Sequence, residues 1–191
     1  MARPREFDKD RLHAVALDLF WSAGYERTTM SQISAKSGVS NGSMFAAYGS
    51  KLGLFMSVFA PYCESRVDIV DTAMASGATE IDSVREFLRV VIDDCANQPA
   101  RRGCLLLNSI AEFGEGETVV LDLAERTNRD MVGSIARRIA TAPFARGTDA
   151  IALATQILLV SQGLIASSRA RMAQHELAEV ADTYCDMLAS A

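Results

Sequence analysis

Apolar side chains return every three or four positions over most of this chain, and the phase of that return resets where Gly or Pro intervenes. Leu12, Val15, Ala16, Leu19 and Phe20 make one such face. They predict a helix from about Asp8 to Ala23, stopped by Gly24. Thr28 or Thr29 then offers an oxygen to the free N–H groups of a short helix, residues 30–37. Gly38 supplies a position open to positive φ, Val39 an apolar plug, and Ser40 an N-cap for a third helix over 41–48. Two short helices joined by Gly-Val-Ser have the spacing of a helix-turn-helix.

Beyond Gly49-Ser50-Lys51 the apolar faces lengthen. Leu54, Phe55, Val58, Phe59, Tyr62 and Val67 predict a long fourth helix, with Pro61 as a point of bending. Five more helices follow, over 80–97, 103–113, 117–142, 148–171 and 176–189. The segment 103–113 is apolar over most of its circumference and is expected to be buried. No alternating Val, Ile or Thr run is long enough for a sheet. The expected fold class is therefore all-α: an N-terminal helix-turn-helix domain of three helices (1–50) and a C-terminal helical bundle for ligand binding and dimerisation (51–191).

Charge sharpens this division. The chain of 191 residues has a net charge of −5, which alone speaks against a nucleic-acid partner. Residues 1–51, however, hold seven Arg or Lys against five acids, +2, which leaves −7 for the other 140 residues. A positive head on an acidic body suits local contact with phosphates. The third helix adds to this: Asn41, Gly42, Ser43, Ala46 and Ala47 are small or polar, as a helix seated in a major groove about 12 Å wide requires.

Other features set the environment. The longest apolar stretch, 151–166, is interrupted by Thr155, Gln156, Ser161, Gln162 and Gly163, so no membrane partner is expected. The N-terminus is charged and has no apolar segment behind it, which points away from a secretory leader. A cytoplasmic protein is expected. Its four cysteines, Cys63, Cys95, Cys104 and Cys185, read as buried thiols rather than disulfides.

At residues 17–55 these signals coincide with a known pattern. Leu17-Asp18-Leu19-Phe20, Gly24-Tyr25, Thr28-Thr29, Ile33-Ser34, Gly38-Val39-Ser40, Gly42-Ser43-Met44-Phe45 and Ser50-Lys51 resemble the DNA-binding domain of tetracycline-repressor-type (TetR family) regulators. The resemblance implies a repressor that binds double-stranded DNA as a homodimer. It implies that the last two long helices pair with those of the partner, and that a small-molecule effector enters a pocket in the body. It places Thr29, Phe45 and Lys51 at phosphate-contacting positions, and Asn41, Gly42, Ser43 and Ala46 at or near the bases. Ser31 and the helix-capping Ser40 complete the DNA-facing set. Two positions depart from the family's habit: Ala47 and Phe45 stand where Tyr is usual. Arg3 and Arg5 are expected to compensate from the N-terminal arm.

The body offers candidates for an effector site: Phe87, Val91, Cys95, Cys104, Asn108, Phe113, Thr127, Met131 and Gln162, a mostly apolar set with a few polar groups. Small residues on the eighth helix (Ala152, Ala154, Ser161, Gly163, Ala166) would permit close approach of a second copy. Cys104 admits two readings. It follows Arg101-Arg102-Gly103 near a helix start, where positive charge and the helix dipole favour a thiolate able to sense oxidants or electrophiles. It also reads as a small apolar residue of the core.

An enzyme is not expected: there are two His, no Gly-x-Ser-x-Gly and no Gly-rich phosphate loop. No cofactor is expected. No Cys-x-x-Cys or His pair at i, i+4 suggests a metal site, and the His175–Glu179 spacing lies on an exposed helix face. His13 is expected on the surface of the first helix.

Overall fold

In a computed structural model describing residues 8–114 and 116–190, the chain forms nine α-helices and no strand among those residues. They are α1 (Lys9–Ala23), α2 (Met30–Ser37), α3 (Asn41–Tyr48), α4 (Lys51–Ser76), α5 (Glu80–Asn97), α6 (Leu105–Phe113), α7 (Thr118–Ile139), α8 (Ala150–Arg169) and α9 (Gln174–Ala189). Arg3 and Arg5, expected to reach DNA from the N-terminal arm, lie outside the described residues.

Side-chain caps start the head's helices. Asp8 accepts from the Arg11 amide, Thr29 from Gln32, Ser40 from Ser43 and Ser50 from Gly53. At the α2–α3 corner Gly38 adopts φ 80° and ψ 4°, a left-handed conformation that Gly enters without steric cost, and its N–H closes on the Ser34 carbonyl. A second glycine is needed for a different reason. A Cβ at Gly53 would come within 2.0 Å of the Tyr48 carbonyl oxygen, so only Gly lets α4 begin this close to the end of α3.

The head packs on α4 through aromatic rings. Phe20 meets Phe55 edge-on at 5.2 Å, and Tyr25 meets Phe55 at 5.3 Å and Phe113 at 4.8 Å. Each such pair contributes about 0.5–1.5 kcal/mol beyond the area it buries. Met44 and Ile33 are fully buried and pin α3 and α2 to this core. Pro61, expected to bend the fourth helix, sits on its exposed side, and the helix runs through all 26 residues.

In the body, α4, α5, α7 and α8 pack on one another and α9 closes over α5. Arg138 of α7 donates to the carbonyls of Met74 and Gly77 and to the Ser83 hydroxyl, which satisfies the open end of α4. The interruptions noted along 151–166 do not break α8. The helix is long and apolar enough by composition to cross a membrane, with mean hydropathy 1.7 over a window of which one third is buried. Its inner side packs Leu153, Ile157, Leu158 and Leu164 into the body, and Ile151 and Leu159 face outward.

Candidate DNA interface and body cavity

The third helix presents its small side to solvent. Asn41, Gly42, Phe45, Ala46 and Ala47 are exposed, Ser43 is half-buried, and Met44 alone is buried. Ser40 is occupied as the cap: its Oγ accepts the Ser43 amide at 3.1 Å and lies 2.9 Å from the Ser43 hydroxyl. Asn41 Nδ2 donates to Ser31 Oγ at 3.3 Å, so the two short helices present these polar groups side by side. Thr29 is exposed but tied into a capping box with Gln32. Phe45 is 47% exposed, a large apolar surface on a helix otherwise anchored by one residue. Lys36, which the pattern did not single out, is exposed in the last turn of α2.

Lys51 has more than one role available. Its Nζ donates to the Tyr25 carbonyl at 3.1 Å and the Glu26 carbonyl at 3.4 Å, and lies 4.2 Å above the Tyr25 ring. It thereby fastens the turn between α1 and α2. His13, expected on the surface, is half-buried: its Nε2 lies 2.9 Å from the Tyr48 hydroxyl and joins α1 to the end of α3. Aromatic Tyr48 turns inward toward His13, which pattern alone does not reveal.

A cavity of about 60 Å³ lies in the body among α4, α5, α6, α7 and α8. Of the expected effector residues, Phe87, Val91, Cys95, Cys104, Met131 and Gln162 line it. Asn108, Phe113 and Thr127 do not. Asn108 turns toward the chain around Arg102, whose carbonyl it bonds at 2.8 Å. Phe113 belongs to the aromatic cluster with Tyr25 and Phe55. Thr127 is buried and donates to the Leu123 carbonyl of its own helix. Arg66, Asp94, Val90, Leu107, Leu158 and Ile165 also line it and were not expected there. Arg66 and Asp94 lie on different helices, and charges in amphipathic helices ordinarily mark the solvent side.

Cys104 occupies the N-cap position of α6, half-buried, on the cavity wall. The two arginines expected beside its thiol are engaged elsewhere. Arg101 donates to the Ser168 and Met172 carbonyls, and Arg102 pairs with Asp18 at 2.9 Å and stacks over Trp21 at 3.9 Å. Its neighbour is Tyr62, whose hydroxyl accepts the Leu105 amide at 3.1 Å and donates to Cys104 Sγ at 3.2 Å. Burial pushes the Tyr62 phenol well up. Burial also pushes the thiols of Cys63 and Cys95 up, to about 12 and about 11, and raises that of Cys185.

Cavity and head are joined by named bonds. Arg66 donates to Asp94 (3.0 Å), Gln98 to Asp94 (3.1 Å), Arg102 to Gln98 (3.1 Å) and Arg102 to Asp18 (2.9 Å), a continuous polar chain from the cavity wall to α1. At the other end of α6, the Glu112 carboxylate accepts the Tyr25 and Glu26 amides, both at 2.9 Å. The turn leading into α6 and the last turn of α6 are thus both fastened to the head, and Leu106 and Leu107 in its first turn line the cavity.

Known proteins share this fold. The family model described as "Bacterial regulatory proteins, tetR family" matches residues 12–58, and that described as "Tetracyclin repressor-like, C-terminal domain" matches residues 81–184. The repressor ComR of Escherichia coli (strain K12) is 22% identical over 95% of this chain and 89% of its own length. The match to the regulator YezE of Bacillus subtilis (strain 168), 24% identical, covers 59% of this chain and 58% of that protein. A cysteine mutant of the TetR family regulator CifR, solved with 26-bp double-strand operator DNA, is 29% identical, covers 97% of this chain and 98% of that one, and has a TM-score of 0.81. SCO4454 of Streptomyces coelicolor shares the fold, with a TM-score of 0.84 at 18% identity over 95% of this chain and 94% of that one. With both of its parts matched by family models, the second over more than half its length, the chain belongs to the TetR family of bacterial regulatory proteins.

Proposed function

We propose that this chain is a ligand-responsive transcriptional repressor that binds an inverted-repeat operator as a homodimer and is released by a small-molecule effector in the body cavity. Residues 1–50 serve as the DNA-binding domain and 51–191 as the ligand-binding and dimerisation domain. Thr29, Ser31, Ser40, Asn41, Gly42, Ser43, Phe45, Ala46 and Lys51 form the DNA-facing set. The observation that carries the reading is α6: it lines the cavity, and the turn leading into it and its last turn are both bonded to the head. A molecule that displaces α6 therefore moves the turn from which the reading helix is held. Binding operator DNA is work for the cytoplasm, and the reading assigns the protein no reaction to catalyse.

A second copy fits the outer side of α8 and α9. Ala152, Leu159, Gly163 and Ala166 repeat along the exposed face of α8, and Val180 and Met187 along that of α9. Ala154 and Ser161, offered by pattern for the same face, point into the chain's own core. Pairing across this face sets two reading helices about 34–36 Å apart or a multiple of it, one turn of DNA. Selection of sheared DNA of the source genome at near-physiological salt tests the reading. Enrichment of a few inverted repeats supports it; uniform, salt-sensitive retention of all DNA overturns it.

A second reading makes Cys104 the receiver of a redox or electrophilic signal. Its place favours it: the half-buried sulfur lies on the cavity wall, with the Tyr62 hydroxyl 3.2 Å away, where a small reagent entering the cavity would meet it. Iodoacetamide, whose carbon takes the sulfur and releases iodide, is the probe. Loss of operator binding in the native chain and its retention in Cys104→Ser support the sensor; equal behaviour of both removes it.

A further inference from the structure

Among the described residues lining the cavity, Arg66 and Asp94 are the charged ones, and they are paired with each other at 3.0 Å. Asp94 gives its second oxygen to Gln98, and the Arg66 guanidinium lies 4.7 Å from the Tyr62 ring centre. Both charges therefore have partners before any ligand arrives. The remaining wall is apolar or neutral, with Phe87, Val91 and Leu106 on one side and the Gln162 amide on another.

We infer that the effector is a small, electrically neutral and largely apolar molecule with a single hydrogen-bonding group. The inference rests on the cavity being the effector site. A carboxylate entering it would surrender its hydration to reach an arginine already neutralised, and would face the Asp94 carboxylate as well. An ammonium would gain Asp94 only by competing with Arg66. A hydroxyl needs one partner, which the Gln162 amide oxygen offers while its nitrogen donates to Asn128 Oδ1 at 3.3 Å, and leaves the ion pair intact. The volume, about 60 Å³, is well below the roughly 300–1,000 Å³ of sites for drug-sized ligands. One ring or a short chain is the upper limit, and even that requires α6 to give way.

Benzyl alcohol, benzoate and benzylamine share one ring and differ in charge, so titrating each into the intact protein isolates the charge term. Thermal shift and calorimetry read binding, and release of operator DNA reads response. Benzyl alcohol is expected to bind at least about tenfold more tightly than either ion. In Asp94→Asn, where Arg66 loses its counter-charge, benzoate should gain about tenfold. In Val91→Phe, which fills the cavity, benzyl alcohol binding should be lost. Benzoate or benzylamine binding the native chain as well as the alcohol, and losing it in Val91→Phe, overturns neutrality but leaves the cavity as the site. Failure of all three to bind, or alcohol binding untouched by Val91→Phe, overturns the site and the inference together.

Discussion

The indole Nε1–H of Trp21 donates to the carbonyl of Gly103 at 3.0 Å, so the first helix of the head grips the residue where the cavity wall begins. Trp21→Phe keeps an aromatic ring beneath the Arg102 guanidinium but leaves that carbonyl unpaired. We expect a stability loss of about 1 kcal/mol in urea unfolding, the low end of the cost of an unsatisfied acceptor, since this carbonyl is only partly buried. A loss below about 0.5 kcal/mol, within the range of a surface substitution, would remove the bond from any coupling role.

Glu112 holds the α1–α2 turn through two backbone amides. In Glu112→Ala both are left to water, and operator affinity should fall about tenfold while the body stays folded, because the head loses its orientation rather than its core. Glu112→Gln keeps one acceptor oxygen and should lie between. Hydrogen exchange at Tyr25 and Glu26 is the check: protection should drop in Glu112→Ala and only partly in Glu112→Gln.

Lys51 and Asn41 should fail in different ways. Lys51→Ala is expected to weaken binding to every DNA sequence and reduce the salt slope by about 1, as loss of one phosphate contact does. It also releases the Tyr25 and Glu26 carbonyls, so a small loss of stability accompanies it. Asn41→Ala should instead relax preference at one base position. Fluorescence anisotropy on operator and scrambled duplexes separates the two; identical behaviour on both refutes the division of roles.

Phe45 is a sharper case because fold and function pull apart there. With nearly half its surface exposed, Phe45→Ala should cost less than about 1 kcal/mol of stability. Operator affinity should nonetheless fall by about tenfold or more, because the ring is the largest side chain on the exposed face of the reading helix. Unchanged affinity would show that Phe45 faces away from DNA.

The buried thiols make stability depend on pH in the alkaline range. The thiols of Cys63 and Cys95 have folded-state values pushed up to about 12 and about 11, from 9.0 in the unfolded chain. Above that unfolded value the folded chain binds more protons than the unfolded one, so stability is full below about pH 9 and falls as pH rises toward 11–12. The slope approaches about 1.4 kcal/mol per pH unit for each thiol. Chemical denaturation at intervals from about pH 8 to about pH 11 checks this, and Cys63→Ala should flatten the curve. A slope unchanged by that substitution would rule out the Cys63 contribution.

Much of the fold could be read from sequence because its signals are local. Gly24, Gly38 and Ser40 mark helix ends through backbone conformation and capping, and the Leu12–Phe20 face repeats at helical spacing. The third helix was legible for the same reason: apart from Phe45, its side chains are small or polar where they meet solvent. The cavity was legible by half. Phe87, Val91 and Met131 lie on inward faces that periodicity identifies, whereas Phe113 lies on such a face and packs against the head instead. Arg66 and Asp94 gave no signal, since a charged residue that turns inward to meet a partner 28 positions away looks like any solvated one.

The aromatic cluster of Phe20, Tyr25, Phe55 and Phe113 sets a limit on modular exchange. Phe113 comes from α6, so the core of the reading head is completed by a residue more than sixty positions past the end of that head. Grafting residues 1–50 onto a foreign body, as is done to build biosensors that report one chemical through another's promoter, would leave those rings without their cover. A working hybrid needs its junction chosen in three dimensions: the Phe113 and Glu112 end of α6 must travel with the head, or be rebuilt on the new host.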